Sequence, residues 1–443
     1  MNNNNNNNNK SYIGKIIALL LIFSVVLNVF NVYIKVNLQK DNEIPSYDIV
    51  IVGGGLAGLS TSYYLNNYSV LILEKENKLG GRVNTIYING TPIDLGGMTG
   101  ISLITLPFEL ENPNIYTENG PFGIYYSGEV KYNDSVLEVV DNLNLTQDEK
   151  DQISDFGNYI LTIEEVNETV YDLLNSIFNV INSGEVRDFI PSYQHILFAR
   201  YYLDHYLNGT SILVDGFKKR INATISLEST VTSVEDEGDK VRIYYQKDGQ
   251  TRSVYANACV VTTPGPITKW LVKEQCNETK EFLDSLKFGA ITSVPFIVPH
   301  NSTDNFSYII THDSPFNVIL KFSTLTGNDV IMVYYMNKSA YDLYNLSDTE
   351  VTSLTIEEFN KIGIGNLTSA NISYSTVHRW KYAAPIISNE SYGIPDWNKV
   401  RPSDRVFLAG DYSCVNSTMS YGMNAAIGSG KRVAKDVKDY FNL

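Results

Sequence analysis

The feature that most constrains this chain is an apolar strand that runs straight into glycines. Tyr47-Asp48-Ile49-Val50-Ile51-Val52 is followed at once by Gly53-Gly54-Gly55-Leu56-Ala57-Gly58. Residues 56–66 then carry helical character, and residues 69–73 form a second apolar run. This is the strand–helix–strand unit of a parallel sheet. A G-x-G-x-x-G match is weak alone and specific in this context. Gly53 allows the tight turn, Gly55 lets a pyrophosphate approach the backbone, and Gly58 lets helix and strand pack closely. The phosphates then meet free N–H groups and the positive end of the helix dipole. Glu74 ends the second strand, 21 residues after Gly53. A carboxylate there can accept hydrogen bonds from both ribose hydroxyls of an adenosine. The fingerprint alone leaves NAD and FAD open.

The segment that follows separates them. Leu73-Glu74-Lys75-Glu76-Asn77-Lys78-Leu79-Gly80-Gly81-Arg82-Val83-Asn84-Thr85 resembles the signature of the flavin amine oxidase and protoporphyrinogen oxidase superfamily. The resemblance implies that Gly81 and its neighbours lie along the FAD pyrophosphate. It gives Arg82 the task of neutralising that charge, for which guanidinium geometry is suited. Asp94-Leu95-Gly96-Gly97-Met98 resembles the segment beside the flavin ring, which brings in Gly97 and Met98. Val231-Thr232-Ser233-Val234 is similar to the strand at the adenine end, with Val231 as its contact, and residues 258–264 are similar to its closing strand. Near the C-terminus, Val406-Phe407-Leu408-Ala409-Gly410-Asp411 resembles the strand and turn in which the acid binds a ribitol hydroxyl. Residues 419–430 resemble the helix start that follows, so the amides of Gly422, Met423 and Asn424 would face the flavin N1 and O2 edge. A helix N-terminus there stabilises the negative charge that arrives on reduction.

The resemblance implies an α/β fold: a discontinuous Rossmann-type FAD-binding domain and a second, α+β substrate domain. The first is expected over 46–100, 210–270 and 396–443, the second over 101–209 and 271–395. Asn89-Gly90 predicts a tight hairpin turn within 85–94. Residues 135–207 read as helical. Residues 227–263 read as a meander turning at Asp248-Gly249, and 286–336 as further strands. A helix is expected at 347–362, a strand at 405–409 and a long helix at 421–440. The resemblance is weak across 101–209 and 300–375, where a substrate would be recognised.

The expected activity is that of an FAD-dependent oxidoreductase. A small organic substrate gives hydride to flavin N5, and oxygen or another acceptor takes the electrons. Amine oxidation is favoured over porphyrinogen-like or prenylcysteine-like oxidation. A non-catalytic membrane-tethered flavoprotein is the rival. Amine oxidases of this resemblance often carry a lysine near N5, and Ser293 of Phe288-Gly289-Ala290-Ile291-Thr292-Ser293 stands at that position. Trp380, in His378-Arg379-Trp380-Lys381-Tyr382, is a candidate pocket wall, and Tyr421 a candidate cover for the flavin face.

Two further features bear on partners. Residues 2–9 are all asparagine, so 1–15 reads as a disordered tail. Residues 16–34 are uncharged and, at a helical rise, span roughly 28 Å, close to a bilayer core. No small-x-small site follows, which favours a retained single-pass anchor over a cleaved signal peptide, with the catalytic domain lumenal or extracellular. Sixteen Asn-x-Ser/Thr triplets beyond residue 37 agree with translocation and a glycoprotein, among them Asn144, Asn167, Asn208, Asn277, Asn305, Asn345 and Asn371. A net charge of −15 with no basic stripe argues against nucleic acid. Three cysteines (Cys259, Cys276 and Cys414) and five scattered histidines show no metal-ligand spacing.

Overall fold

The computed structural model describes residues 44–98, 104–182, 184–188, 204–273, 275–386, 401–413 and 422–441, with Val26 and Asn28. The tail 1–15, the expected anchor 16–34 apart from those two residues, Cys414 and Tyr421 lie outside them. Among the described residues no helix is long and apolar enough to cross a membrane.

Two sheets organise the chain. The seven-stranded first sheet runs Thr230–Asp236, Val241–Lys247, Gln250–Val261, Ser46–Val52, Val70–Leu73, Ala223–Ser226, with Val406–Leu408 also paired to Gln250–Val261. Ser46–Val52 lies parallel between Val70–Leu73 and the second half of Gln250–Val261. It is therefore buried on both faces, which explains why it reads as an unbroken apolar run. The meander is antiparallel, and its turn residues Asp248 (φ 51°) and Gly249 (φ 71°) both take the left-handed conformation. One face of this sheet carries the helix Leu56–Tyr64 and the C-terminal helix Gly422–Phe441, whose Val433, Ala434 and Val437 join its core.

The second sheet has eight strands, and Lys287–Pro299 is its spine. That strand pairs antiparallel with Asn328–Met336 on one edge and with Tyr374–Ser375 and His378–Ile386 on the other. Alternation along Asn328–Met336 divides the side chains. Val330, Met332, Tyr334 and Met336 enter one core, while Ile331, Val333 and Tyr335 enter the opposite one. The first core is closed by the helices Val136–Asp141, Gln147–Gly157 and Glu168–Asn182. The second is closed by Asp348–Ile362, which starts on a Ser347/Glu350 capping box and stops at left-handed Gly363.

The structure corrects the sequence reading at two places and adds one hairpin to it. The stretch 135–207 is not helical to its end, because Asp204–Tyr206 pairs as a strand with Ile115–Thr117. The strands Phe122–Tyr126 and Glu129–Asn133, which the helical reading of the neighbouring stretch overshadowed, form a hairpin on the edge of the second sheet. The helix Asn277–Ser285 packs Phe282 and Leu283 into the first sheet's core, so by packing residues 271–285 go with the first sheet rather than the second.

Candidate active site

The glycine loop shows why each of its glycines is there. A Cβ on Gly58 would stand 2.1 Å from the Gly53 carbonyl oxygen, and Gly53 itself has φ +107°. Both are demanded by the protein's own backbone. Gly55 differs: a Cβ there would meet no protein atom nearer than 3.9 Å. No close protein contact demands a glycine at this position, which suits the close approach of a pyrophosphate to the backbone. The helix behind it has no side-chain cap and no acid in its first turn, so its amides are available to an anion. Gly81 (φ +57°) faces the same loop, its own Cβ position lying 3.2 Å from the Gly55 Cα.

Glu74 is buried and braces this loop from below. Gly54 N–H donates to Oε2 at 2.6 Å, and Glu76 N–H donates to Oε1 at 2.9 Å. Each oxygen retains acceptor capacity for a ribose hydroxyl. Val231 lies on the next edge of the same wall, beside a register shift in its strand.

Arg82 and Asp411, 329 residues apart in sequence, meet directly. The guanidinium donates to Asp411 Oδ2 at 2.6 Å and to Oδ1 at 2.8 Å, and to the Ala383 carbonyl at 2.8 Å. The two expected cofactor residues are thus one bidentate unit, with the Asp411 carboxylate almost fully buried. Gly410 takes φ +154° and donates its N–H to Ser429 Oγ at 2.9 Å, which ties the turn to the C-terminal helix.

The segment Leu95–Met98 lies between this pair and the second sheet. A Cβ on Gly97 would meet Met423 Sδ at 3.1 Å, so Gly97 abuts the start of the C-terminal helix. Gly422, at φ +58°, opens that helix, and a Cβ built on it meets no described atom within 4 Å. Asn424 does not project its side chain freely, since its Oδ1 accepts the Thr105 N–H at 3.1 Å. Trp380 packs on the other side: its indole N–H donates to the Leu95 carbonyl at 2.7 Å, and Cζ2 lies 3.4 Å from a Cβ built on Gly96. Ser293 Oγ reaches the same carbonyl at 3.4 Å. The position where a lysine was expected therefore does face this segment, and it holds a serine. Among the described residues the one buried lysine, Lys321, packs on the opposite face of the sheet, over Phe306 and beside Asp329.

A cavity opens beyond Met98, lined by Asp94, His205, Phe322, Val330 and Met332 among others. Asp94 is held by the hydroxyls of Thr85 and Thr210 and by the Thr210 N–H. Burial pushes its carboxyl above the usual range, and these donors pull it part of the way back. His205 Nε2 lies 3.0 Å from Glu118 Oε1, both side chains being buried, and Glu118 also accepts the Ser323 N–H at 2.6 Å. Tyr334 donates its hydroxyl to Met98 Sδ at 3.2 Å. Among the described residues no lysine or arginine lines it. Asp94, Glu118 and His205 were not singled out from the sequence: Glu118 and His205 come together only through the pairing of Ile115–Thr117 with Asp204–Tyr206.

Comparison with known proteins places this architecture. The family described as flavin containing amine oxidoreductase matches residues 141–438, and an NAD(P)-binding Rossmann-like domain matches 51–102. Polyamine oxidase 5 of Oryza sativa subsp. japonica is 20% identical, over 89% of this chain and 88% of its own length. An L-amino-acid oxidase of Echis ocellatus is 23% identical, over 86% and 88%. In fold, the chain is similar to cyclohexylamine oxidase from Brevibacterium oxydans IH-35A (TM-score 0.70, 15% identity, 90% of this chain and 100% of that one). It is also similar to a putative protoporphyrinogen oxidase from Exiguobacterium sp. 255-15 (TM-score 0.68, 17% identity, 89% and 98%).

Proposed function

The chain belongs to the flavin-containing amine oxidoreductase family, and from that premise we propose that it oxidises a small amine that arrives as a cation. FAD, the family's cofactor, supplies the two-electron acceptor, with hydride passing to N5. The chain's own residues bind and orient. Gly53, Gly55 and Gly58 with the helix behind them take the pyrophosphate, Glu74 the ribose, and Val231 the adenine side. Arg82 and Asp411 fix the turn against which the ribitol lies. Gly422, Met423 and Asn424 present the helix N-terminus to the pyrimidine edge. Gly97, Met98 and Trp380 form the wall that shapes the reacting face.

The observation that carries the substrate reading is the charge of the cavity beyond Met98. Among the described residues, Asp94 lines it, Glu118 stands behind its wall paired with His205, and no lysine or arginine is in the lining. The carboxylates of an amino acid or a porphyrinogen would enter such a space without a partner, which is costly. An ammonium group on an apolar body suits it. Two features favour the second reading, porphyrinogen- or prenylcysteine-type oxidation: the serine at position 293 and the fold likeness to a putative protoporphyrinogen oxidase. The test is anaerobic bleaching of the purified flavoprotein by a panel. Rapid bleaching by cyclohexylamine or putrescine, with none by L-amino acids, is expected. Bleaching by protoporphyrinogen alone would replace this reading with the second. A flavin that dithionite reduces and no compound in the panel does would support the non-catalytic rival. With oxygen as acceptor the second product is peroxide.

For location we propose a single-pass anchor at 16–34 with the catalytic domain lumenal or extracellular. The apolar length of that stretch supports it. So does the accessibility of the acceptor sites: Asn144, Asn167, Asn208, Asn277, Asn305 and Asn345 are exposed, and Asn371 is half-buried. Sodium carbonate extraction and a glycosidase mobility shift test the two parts separately.

A further inference from the structure

The second sheet places an unused base against the flavin-lining segment. In the spine strand, Ile291 and Ser293 are alternate residues on one face; in its neighbour, Trp380 and His378 are their register partners. Cross-strand partners share a face, so all four side chains point the same way. That face is the one covered by Leu95–Gly97, because Trp380 Nε1 and Ser293 Oγ both reach the Leu95 carbonyl. The His378 ring packs edge-on against Trp380, centroids 4.3 Å apart. Its Nε2 is shielded from solvent yet has no hydrogen-bond partner among the described residues. Buried polar atoms are rarely left so, and an orphan at a site calls for a ligand or an ordered water.

We infer that His378 is the proton acceptor of this active site: its ring stands outside the lining of the cavity beyond Met98, and Nε2 takes one proton from the substrate ammonium through ordered water, so that the amine reacts in its neutral form. The inference rests on the amine reading given above. The atoms balance simply. R–CH2–NH3+ and the neutral imidazole become R–CH2–NH2 and imidazolium. The two electrons of the C–H bond then leave with hydride to the oxidised cofactor, and the substrate carbon becomes the iminium. Ser293 cannot serve, being uncharged and already directed at a carbonyl. Arg379, the next residue, turns to the other face, onto Asp348 and the Leu346 carbonyl. Burial holds the His378 ring below the ordinary histidine range, and Lys78 pushes in the same direction while Glu76 opposes it. The ring is accordingly neutral and able to accept at pH 7.

Two measurements on the FAD-loaded full chain decide it. The first is ring ¹⁵N NMR: the chain has five histidines, and His378→Gln identifies the resonance. The expected result is a ring protonated on Nδ1 with Nε2 bare at pH 7, titrating below pH 6.5. A ring protonated on Nε2 at pH 7 overturns the proposal whatever the substrate proves to be. The second is anaerobic bleaching by cyclohexylamine across pH 5.5–9.5. His378→Gln should slow it by about 100-fold and remove the acidic limb of the pH profile, while the oxidised flavin spectrum and the melting temperature at neutral pH stay unchanged. A variant that bleaches at the wild-type rate with the same limb overturns the proposal. If no amine bleaches even the wild type, the amine reading fails, and the proton transfer proposed here fails with it. A bare Nε2 would then remain as a fact about the ring alone.

Discussion

The two sheets hold their sites in different ways. In the first, backbone touches backbone: Gly58 lies against the Gly53 carbonyl, and Gly430 of the C-terminal helix lies against the Ala57 carbonyl, where a Cβ would come within 2.5 Å. In the second, side chains do the filling, with Tyr335, Phe296, Phe316 and Phe359 fully buried around one face. A backbone contact has no rotamer to adjust, whereas a packed side chain can shift or be exchanged at nearly constant volume. The cofactor half is therefore rigid in sequence as well as in space. The substrate half can keep its fold if its lining changes, which is the division of labour expected where one cofactor serves many substrates.

The largest effect that tests this contrast is Gly58→Ala. We expect about 3 kcal/mol of destabilisation and loss of bound flavin, read by thermal melting and by absorbance of the desalted protein. A variant that keeps both would break the comparison. Asp411→Ala comes next. It removes the carboxylate partner of the Arg82 guanidinium, which is partly exposed and keeps its bond to the Ala383 carbonyl, so about 2 kcal/mol is expected rather than the full cost of a buried orphan charge. Gly97→Ala sharpens the argument, because this glycine of the cofactor half meets a flexible thioether and not a carbonyl. Met423 can move, and about 1 kcal/mol is expected with flavin retained. Tyr334→Phe, in the substrate half, should cost about 0.5 kcal/mol, since it removes one hydrogen bond to sulfur and leaves the ring in place. A loss above 2 kcal/mol there would mean that the second sheet is as intolerant as the first.

The smallest expected effect concerns pH. The folded pKa of His378 lies below its unfolded value, so between the two the unfolded chain binds more protons. Its contribution to stability is present above pH 6.5 and is lost as pH falls through the folded value. Melting curves from pH 7 to 5.5 should show an acid loss that is smaller in His378→Gln, by on the order of 1 °C.

What the sequence revealed follows the same division. The loop at 53–58, the turns at Asn89-Gly90 and Asp248-Gly249 and the Ser347/Glu350 cap are local rules of backbone geometry, legible over a few residues. The Arg82–Asp411 unit was visible only as two separate residues of a resemblance, because nothing local says that they meet. The hairpin Phe122–Asn133 had a signal that went unused: Ser127-Gly128, both left-handed, between two β-prone runs. His378 carried a weaker one, since residues two apart on a strand share a face and Trp380 was already a candidate wall. Glu118 and His205 carried none, because their meeting depends on which strands pair. Tyr421 and Cys414 lie outside the described residues.

The close contact of the two helices also has a consequence for how the protein is made. Ser60 donates its hydroxyl to the carbonyl of Ile427, 367 residues later. At ribosomal speeds of about 5–20 residues per second, that interval lasts on the order of half a minute. The nucleotide-binding half starts first and finishes last, while the strands of the other half emerge in between. During that time the apolar face of Leu56–Tyr64 waits for its partner, so the newborn chain carries an uncovered apolar surface until the helix Gly422–Phe441 has left the ribosome.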